Sequence, residues 1–347
     1  MKFVSEKGNI LMKELTKDES KILKGIAILF MIGLHLYNTL DYENLYQPLL
    51  YIGDKPLIYY ISFLFDACVP IYCFCSGYAM YLKQSIYIKD NIKRIFKFVK
   101  RYWIVLVLTC IVGIILHNPS IPDNVLTFIG NLTLVNISYV GAWWFVQTYV
   151  LLILLTPFII KMINKYEKIT LLVVFVIYFI AFYFRIMNPV RPHIFILDVI
   201  INALVLLGTS LFPFVVGMYF YKNLIISKLR TQFGYNNIIA GLIIIICILL
   251  HIFIKNMIIA PFIAIIFILG FSLIHFHPVI RKILLYFGNH STNLWLVHMQ
   301  YYMIFTPTVV FYTHTVIGCL VILLGMCIIT SYLINFLENV LFKYLIH

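Results

Sequence analysis

Charge is what this chain has least of. Only 11% of its 347 residues are Asp, Glu, Lys or Arg, whereas a water-soluble domain carries about 25%. Half the usual number cannot cover a soluble surface, which excludes a soluble enzyme and a disordered chain. A disulfide framework is missing too. Seven cysteines (Cys68, Cys73, Cys75, Cys110, Cys247, Cys319, Cys327) are an odd number, and all fall inside apolar runs, unlike a secreted scaffold. The cluster Cys68, Cys73, Cys75 has no His and no acid nearby except Asp66, so no metal site is expected. No small-residue cleavage pattern follows the first apolar run, near Ile22, so no cleavable signal peptide is expected. Internal repeats and paired broken helices, which many secondary transporters carry, are also lacking.

What is present is apolar chain: 63% hydrophobic residues, 17% aromatic, and a mean hydropathy of +0.99. The apolar runs are near-continuous and about 20 residues long, which fits membrane helices and not the alternating segments of a β-barrel. The fold class is therefore all-α, a polytopic membrane helix bundle of about ten transmembrane helices. The expected spans are 22–40, 57–82, 98–117, 142–162, 168–186, 198–221, 237–254, 256–276, 292–312 and 314–337. They make one transmembrane domain, 22–342, between a cytoplasmic segment 1–21 and a cytoplasmic tail 343–347. Basic residues set the orientation. With the N-terminus inside, 22 of the 26 Lys and Arg fall on the cytoplasmic side, leaving Lys55, Arg185, Arg191 and Lys255 outside. So lopsided a split supports both the helix number and two cytoplasmic termini. In such a protein the net charge of +13 reflects this asymmetry and points to no nucleic acid. The outer segment 118–141 is mostly apolar and is expected to lie in the interface or dip into the bundle. Its Asn131-Leu-Thr and Asn136-Ile-Ser match glycosylation sequons, short patterns that arise often by chance.

Ionisable residues within spans cost roughly 2.5 kcal/mol or more, so each is a functional candidate. Lys24 and His35 lie eleven residues apart in the first span. That spacing turns a helix by about 1100°, within roughly 20° of three full turns, and puts both on one face about 16 Å apart. Lys24 is then expected at the cytoplasmic interface and His35 near mid-membrane. The pair suits a substrate with a phosphate-bearing end in the cytosol and a reactive end buried. A snorkelling Lys and a structural His would leave the same pattern. Asp66 comes to a similar depth on the second span, so a His35–Asp66 pair is expected, in which Asp66 orients the imidazole. The other reading puts Asp66 in a watery outer vestibule.

Three further segments carry weaker signals. Phe74-Cys-Ser76-Gly77-Tyr78 allows close approach of a helix or a ligand. The stretch Lys93-Arg94-Ile-Phe-Lys97-Phe-Val-Lys100-Arg101 packs five cations into nine residues, either as a positive-inside anchor or as a phosphate clamp. On the outer side, Gly141-Ala-Trp143-Trp144-Phe145-Val-Gln147 reads as an aromatic belt or a sugar platform. His298 is expected about 10 Å from the cytoplasmic face, where interhelix bonding competes with chemistry. His251, His275, His277 and His314 sit near span ends.

These pieces in this order resemble the acyltransferase-3 family of integral membrane acyltransferases, from about Lys21 to Phe342. The segment Ser20-Lys-Ile-Leu-Lys24 through His35 is similar to the family's opening helix, a basic residue followed by ten positions and then His. Here Lys24 stands where the family usually has Arg. Ile71 through Tyr78 resembles the family's aromatic-rich Ser-Gly-Tyr segment. The basic loop through Arg94 and Arg101, the Trp-Phe entry to the fourth span, and Gly288 through His298 are similar to further family features.

The resemblance implies transfer of an acyl group, most often acetyl, from cytosolic acyl-CoA (acetyl-CoA) to a carbohydrate hydroxyl at the outer face. It makes His35 the general base or acyl carrier and Lys24, Arg94 and Arg101 contacts to the CoA phosphates. With the reading of the segments above, Asp66 joins His35 as a catalytic candidate, Ser76, Gly77 and Tyr78 are further cofactor candidates, and Trp143, Trp144, Gln147 and His298 are acceptor candidates. The acceptor is then a cell-surface glycan or lipid-linked sugar, and the protein is a multi-pass component of the cell membrane, that of a bacterium. Some members carry an extracytoplasmic hydrolase-like domain for which this chain has no expected room. It acts alone, as a homo-oligomer, or with a separate extracytoplasmic partner. The competing class is an exporter of a glycan or small solute, for which a continuous polar lumen and paired broken helices would speak.

Overall fold

The computed structural model describes residues 14–188 and 194–342. Arg191 and the basic residues of both chain ends counted above (Lys2, Lys7, Lys13, Lys343) lie outside that set, as do the expected tail and most of segment 1–21. The first helix, α1, runs Lys17–Tyr37 and starts five residues earlier than hydropathy alone suggests. A capping box sets its start. The Glu19 N–H donates to Thr16 Oγ1 at 3.1 Å, and the Thr16 N–H donates to the Glu19 carboxylate at 2.8 Å, satisfying two otherwise orphaned amides. A two-stranded hairpin follows, β1 (Tyr51–Ile52) and β2 (Lys55–Pro56). The second rod is broken. It comprises α2 (Leu57–Ser62), a 3-10 turn (Phe63–Ala67) and α3 (Cys68–Leu82).

Next come α4 (Ile88–Ile115), a short α5 (Val125–Leu132), α6 (Trp144–Lys165), α7 (Glu167–Met187) and α8 (Phe195–Lys222). The chain continues through α9 (Ile225–Phe233), α10 (Asn237–Phe253), α11 (Ala260–Ser272) and α12 (Pro278–Met299). A π-helical turn (Gln300–Phe305), α13 (Pro307–Val310) and α14 (Val316–Leu341) complete it. Seven of these rods are long and apolar enough to cross a membrane: α1, Leu57–Leu82, α4, Gly141–Lys165, α7, α8 and α14. The helical membrane bundle is as expected, with seven such rods by length and composition where about ten spans were expected. The expected seventh and eighth spans are shorter apolar helices, Asn237–Phe253 and Met257–Ser272, below the roughly 20 residues a bilayer core asks for. The expected ninth span is displaced: α12 begins at Pro278, not 292.

Two close helix crossings hold the centre. An added Cβ on Gly77 of α3 would lie 1.8 Å from the Phe214 carbonyl oxygen of α8, and one on Gly217 of α8 would lie 2.2 Å from the Phe74 carbonyl oxygen. Each glycine thus receives the other helix's backbone, the packing that lipid-embedded bundles favour. The crossing of α1 with α12 works the same way, since a Cβ on Gly288 would meet the Lys21 carbonyl oxygen at 2.0 Å. A polar seam then ties α12 to α14. His290 Nδ1 and Ser331 Oγ lie 2.8 Å apart, and Asn293 Nδ2 donates to the side chains of Ser331 and Asn335 at 2.9 Å each.

Burial separates core from rim. Of the apolar window of α1, 56% is buried within the protein, but only 28% of those of α7 and α14. Leu172, Val173, Val176 and Ile180 of α7 are exposed, a band that needs lipid beside it. The protein is thus an all-helical, multi-pass membrane bundle. Its rods alternate in direction, so one end, here the basic end, collects Lys17, Lys83, Lys165 and Lys222. All seven cysteines are buried free thiols. Asn131 is fully buried, accepting the N–H of Ser138 at 3.1 Å and donating to the Thr127 carbonyl at 2.9 Å, so its sequon organises the α5 loop and is not open to modification.

Candidate active site

Three cavities lie along α1. The central one, about 230 Å³, is lined among others by Met31, His35, Asp66, Trp144, Arg185 and Thr209. A second, about 320 Å³, takes Leu34, His35, Asn38, Phe63, Asp66, Lys255, Asn256 and Met257 as its walls. His35 and Asp66 line both, so the two spaces meet across these side chains. A third, smaller cavity of about 90 Å³ lies toward the basic end and contains Lys24, Tyr72, Ser76 and Ser291; it shares Met31, Phe145 and Trp295 with the central one. Lys24 and His35 therefore do face one side of α1, each into a connected hollow.

His35 stands in the last turn of α1, toward the end of the helix opposite Lys17. Among the described residues it hydrogen-bonds to none. Its ring instead packs on two others, His298 at 5.1 Å and Tyr302 at 6.0 Å between centres.

The expected His35–Asp66 pair is not formed. Asp66 Oδ1 lies 2.8 Å from His251 Nε2 in a pair that is almost wholly buried. The 3-10 turn carries Asp66 away from the helical line of the second rod, and the last turn of α10 delivers His251 against it. His251 Nδ1 has no partner among the described residues. His251 was legible in principle. It is an ionisable group in an apolar run, and the depth arithmetic that singled out Asp66 applies to it equally.

His298 also sits elsewhere than expected. Because α12 begins at Pro278, His298 falls in its last turn, about 30 Å of helix from the basic end and beside His35. It is fully buried, its Nδ1 lies 2.8 Å from the Trp295 carbonyl oxygen, and its Nε2 has no partner among the described residues. It does not line the cavities and instead backs His35 from behind.

The remaining expected residues separate by orientation. Trp144 lines the central cavity. Trp143 is fully buried, its indole donating to the Leu296 carbonyl at 2.8 Å, and Gln147 donates to the Leu134 carbonyl at 2.8 Å; both brace the structure away from the cavity. Ser76 faces the third cavity, donating to the Tyr72 carbonyl at 2.7 Å. Gly77 is occupied by α8. The Tyr78 hydroxyl is bonded to the Glu14 carboxylate and accepts the Leu15 N–H at 3.1 Å, which pins the segment before α1.

Arg101 and Lys100 both bridge to Glu338 of α14, at 2.5 and 2.8 Å. Arg94 lies 3.3 Å from Ser85 Oγ and is part of a larger group. Burial, together with the charges of Arg94, Lys17, Lys24 and Lys97, lowers the Lys83 ammonium below its ordinary value. Of these five cations Lys24 lines the third cavity, and among the described residues none forms an ion pair. Uncompensated like charges favour a bound anion. Lys97 belongs to the basic stretch marked in the sequence, whereas Lys17 and Lys83 did not stand out because positive-inside anchoring accounts for either of them alone.

At the central cavity, Thr209 and Pro213 of α8 both line the wall, and Pro213 lacks the N–H of an ordinary helical residue. The acyltransferase domain model of the acyltransferase-3 family matches residues 18–334. The chain belongs to the acyltransferase-3 family. The match spans α1 through most of α14, so every residue of the three cavities falls within the acyltransferase domain. Neither the curated proteins nor the solved structures contain a match. The protein is a membrane acyltransferase by family, and its cavities are the candidate site of that activity.

Proposed function

We propose that the protein moves an acyl group, acetyl in the first instance, from cytosolic acyl-CoA to a hydroxyl of a cell-surface glycan or lipid-linked sugar at the outer face. The observation that carries this reading is the alignment along α1: Lys24, without an ion pair among the described residues, at one cavity, His35 at the meeting of two others, and shared walls between. In this reading Lys24 with Lys17, Lys83, Arg94 and Lys97 takes the phosphates of CoA, since ammonium and guanidinium groups hold phosphate by charge-assisted hydrogen bonds. The thioester reaches along α1 to His35. There the imidazole either takes the acceptor hydroxyl's proton as the hydroxyl attacks the thioester carbon, or carries the acyl group itself; in both cases the CoA thiolate leaves and takes up a proton. Asp66, held by His251, lines the same two spaces.

Purified protein in vesicles, given acetyl-CoA and a surface-glycan extract, tests this. Thiol release that depends on the glycan, lost in His35→Ala, is expected. No thiol release, with no CoA binding by calorimetry, would overturn it and favour an exporter.

A further inference from the structure

The chemistry of the acceptor is written at the far end of the bundle. Positive charge is scarce there: three basic residues among the described ones, Lys55, Arg185 and Lys255, and membrane proteins in general keep Lys and Arg off that side. Yet two of the three line the cavities. Arg185, in the last turn of α7, lines the central cavity, with its guanidinium carbon 5.6 Å from the centre of the Trp144 ring. Lys255, between α10 and α11, lines the second cavity, with its ammonium 5.3 Å from the Tyr60 ring. Among the described residues neither lies within ion-pair distance of a carboxylate. The one acid on these walls, Asp66, is already bonded to His251.

An aromatic face beneath a cation stabilises it modestly and leaves its outward donors free. The central cavity therefore presents the Trp144 ring with the Arg185 guanidinium beside it, and the second presents the Lys255 ammonium, both charges uncompensated among the described residues. An apolar ring face takes the flat side of a sugar, and a guanidinium takes a carboxylate or phosphate through two parallel hydrogen bonds.

We infer that Arg185 and Lys255 are acceptor-specificity residues, and that the acceptor is an acidic glycan bearing carboxylate or phosphate groups. This deepens the acyltransferase reading, on which it rests for the identity of the site. A lipid phosphate could offer the same charge, so lipid and glycan are separated in the test.

The experiment uses the full chain in nanodiscs of neutral phosphatidylcholine without any acyl donor. The probes are a fluorescent uronic-acid oligosaccharide and its carboxyl-reduced counterpart, identical in linkage but neutral. The acidic probe is expected to bind at least about tenfold tighter, the size of one charge-assisted bond. Arg185→Gln and Lys255→Gln should each weaken it several-fold, and Arg185→Glu should remove the preference. Equal binding of the two probes, or of neither, would overturn the inference. So would loss of the preference in nanodiscs containing phosphatidylglycerol, which would assign the cations to lipid. Preferential binding without thiol release from acetyl-CoA would leave this inference standing while the acyl-CoA reading fails.

Discussion

His35 and His251 occupy equivalent places: each is in the last turn of a helix, at the same end of the bundle, beside the same cavities. His251 is sealed and paired to a buried carboxylate. His35 is half-buried, bonded to no described residue, and open to two cavities. The difference teaches that an intramembrane imidazole becomes available for chemistry by what is withheld from it. The carboxylate that would have tied His35 is spent on His251, and the ring behind it, His298, is held to its own backbone. His251 keeps Asp66 in place; His35 keeps a free edge.

The largest expected break in this comparison is His35→Ala. Loss of a general base removes about 10² to 10⁴ in rate, and acyl-transfer turnover should fall by that much while thermal stability in detergent stays near the parent. Removing His251 should do the opposite, acting first on stability. Either His251→Ala or Asp66→Ala strands one member of a buried pair, at about 3–5 kcal/mol, and the double variant should lose less than the sum. Unchanged melting of both single variants would show that the pair is not formed.

A smaller effect is expected away from both histidines. Gly77→Ala puts a methyl against the Phe214 carbonyl and should cost about 1–3 kcal/mol by forcing α3 and α8 apart, read as a lower melting temperature with the CoA affinity of the surviving fraction unchanged. If CoA binding fell with no loss of stability, Gly77 would belong to the donor site after all. The smallest is Lys83→Gln. One exposed charge among five should weaken CoA binding about two- to fivefold at low salt, and less as salt screens the cluster. An effect that is insensitive to salt would argue against a phosphate site made of these cations.

Much of the fold was legible before any coordinates. Hydropathy marked the rods, and the spacing of Lys24 and His35 placed both on the cavity side of α1. What hydropathy could not show was where polar stretches continue a helix. The polar first turns of α1 and the Arg281-Lys282 start of α12 read as loops, and the earlier start of α12 moved His298 along the bundle. Partner choice was also hidden. Asp66 and His251 are 185 residues apart, and only the 3-10 turn at Phe63–Ala67, which no apolar pattern announces, turns one toward the other. The same holds for Tyr78, whose bond to Glu14 depends on how the segment before α1 folds back.

The most direct test sets His35→Ala beside the parent protein in proteoliposomes, following thiol release from acetyl-CoA and acyl transfer to glycan together with melting temperature. The account predicts that the variant melts like the parent and releases thiol at no more than about one hundredth of its rate. A variant that is equally stable and turns over at the parental rate would contradict it, and would move the chemistry away from the meeting point of the two cavities.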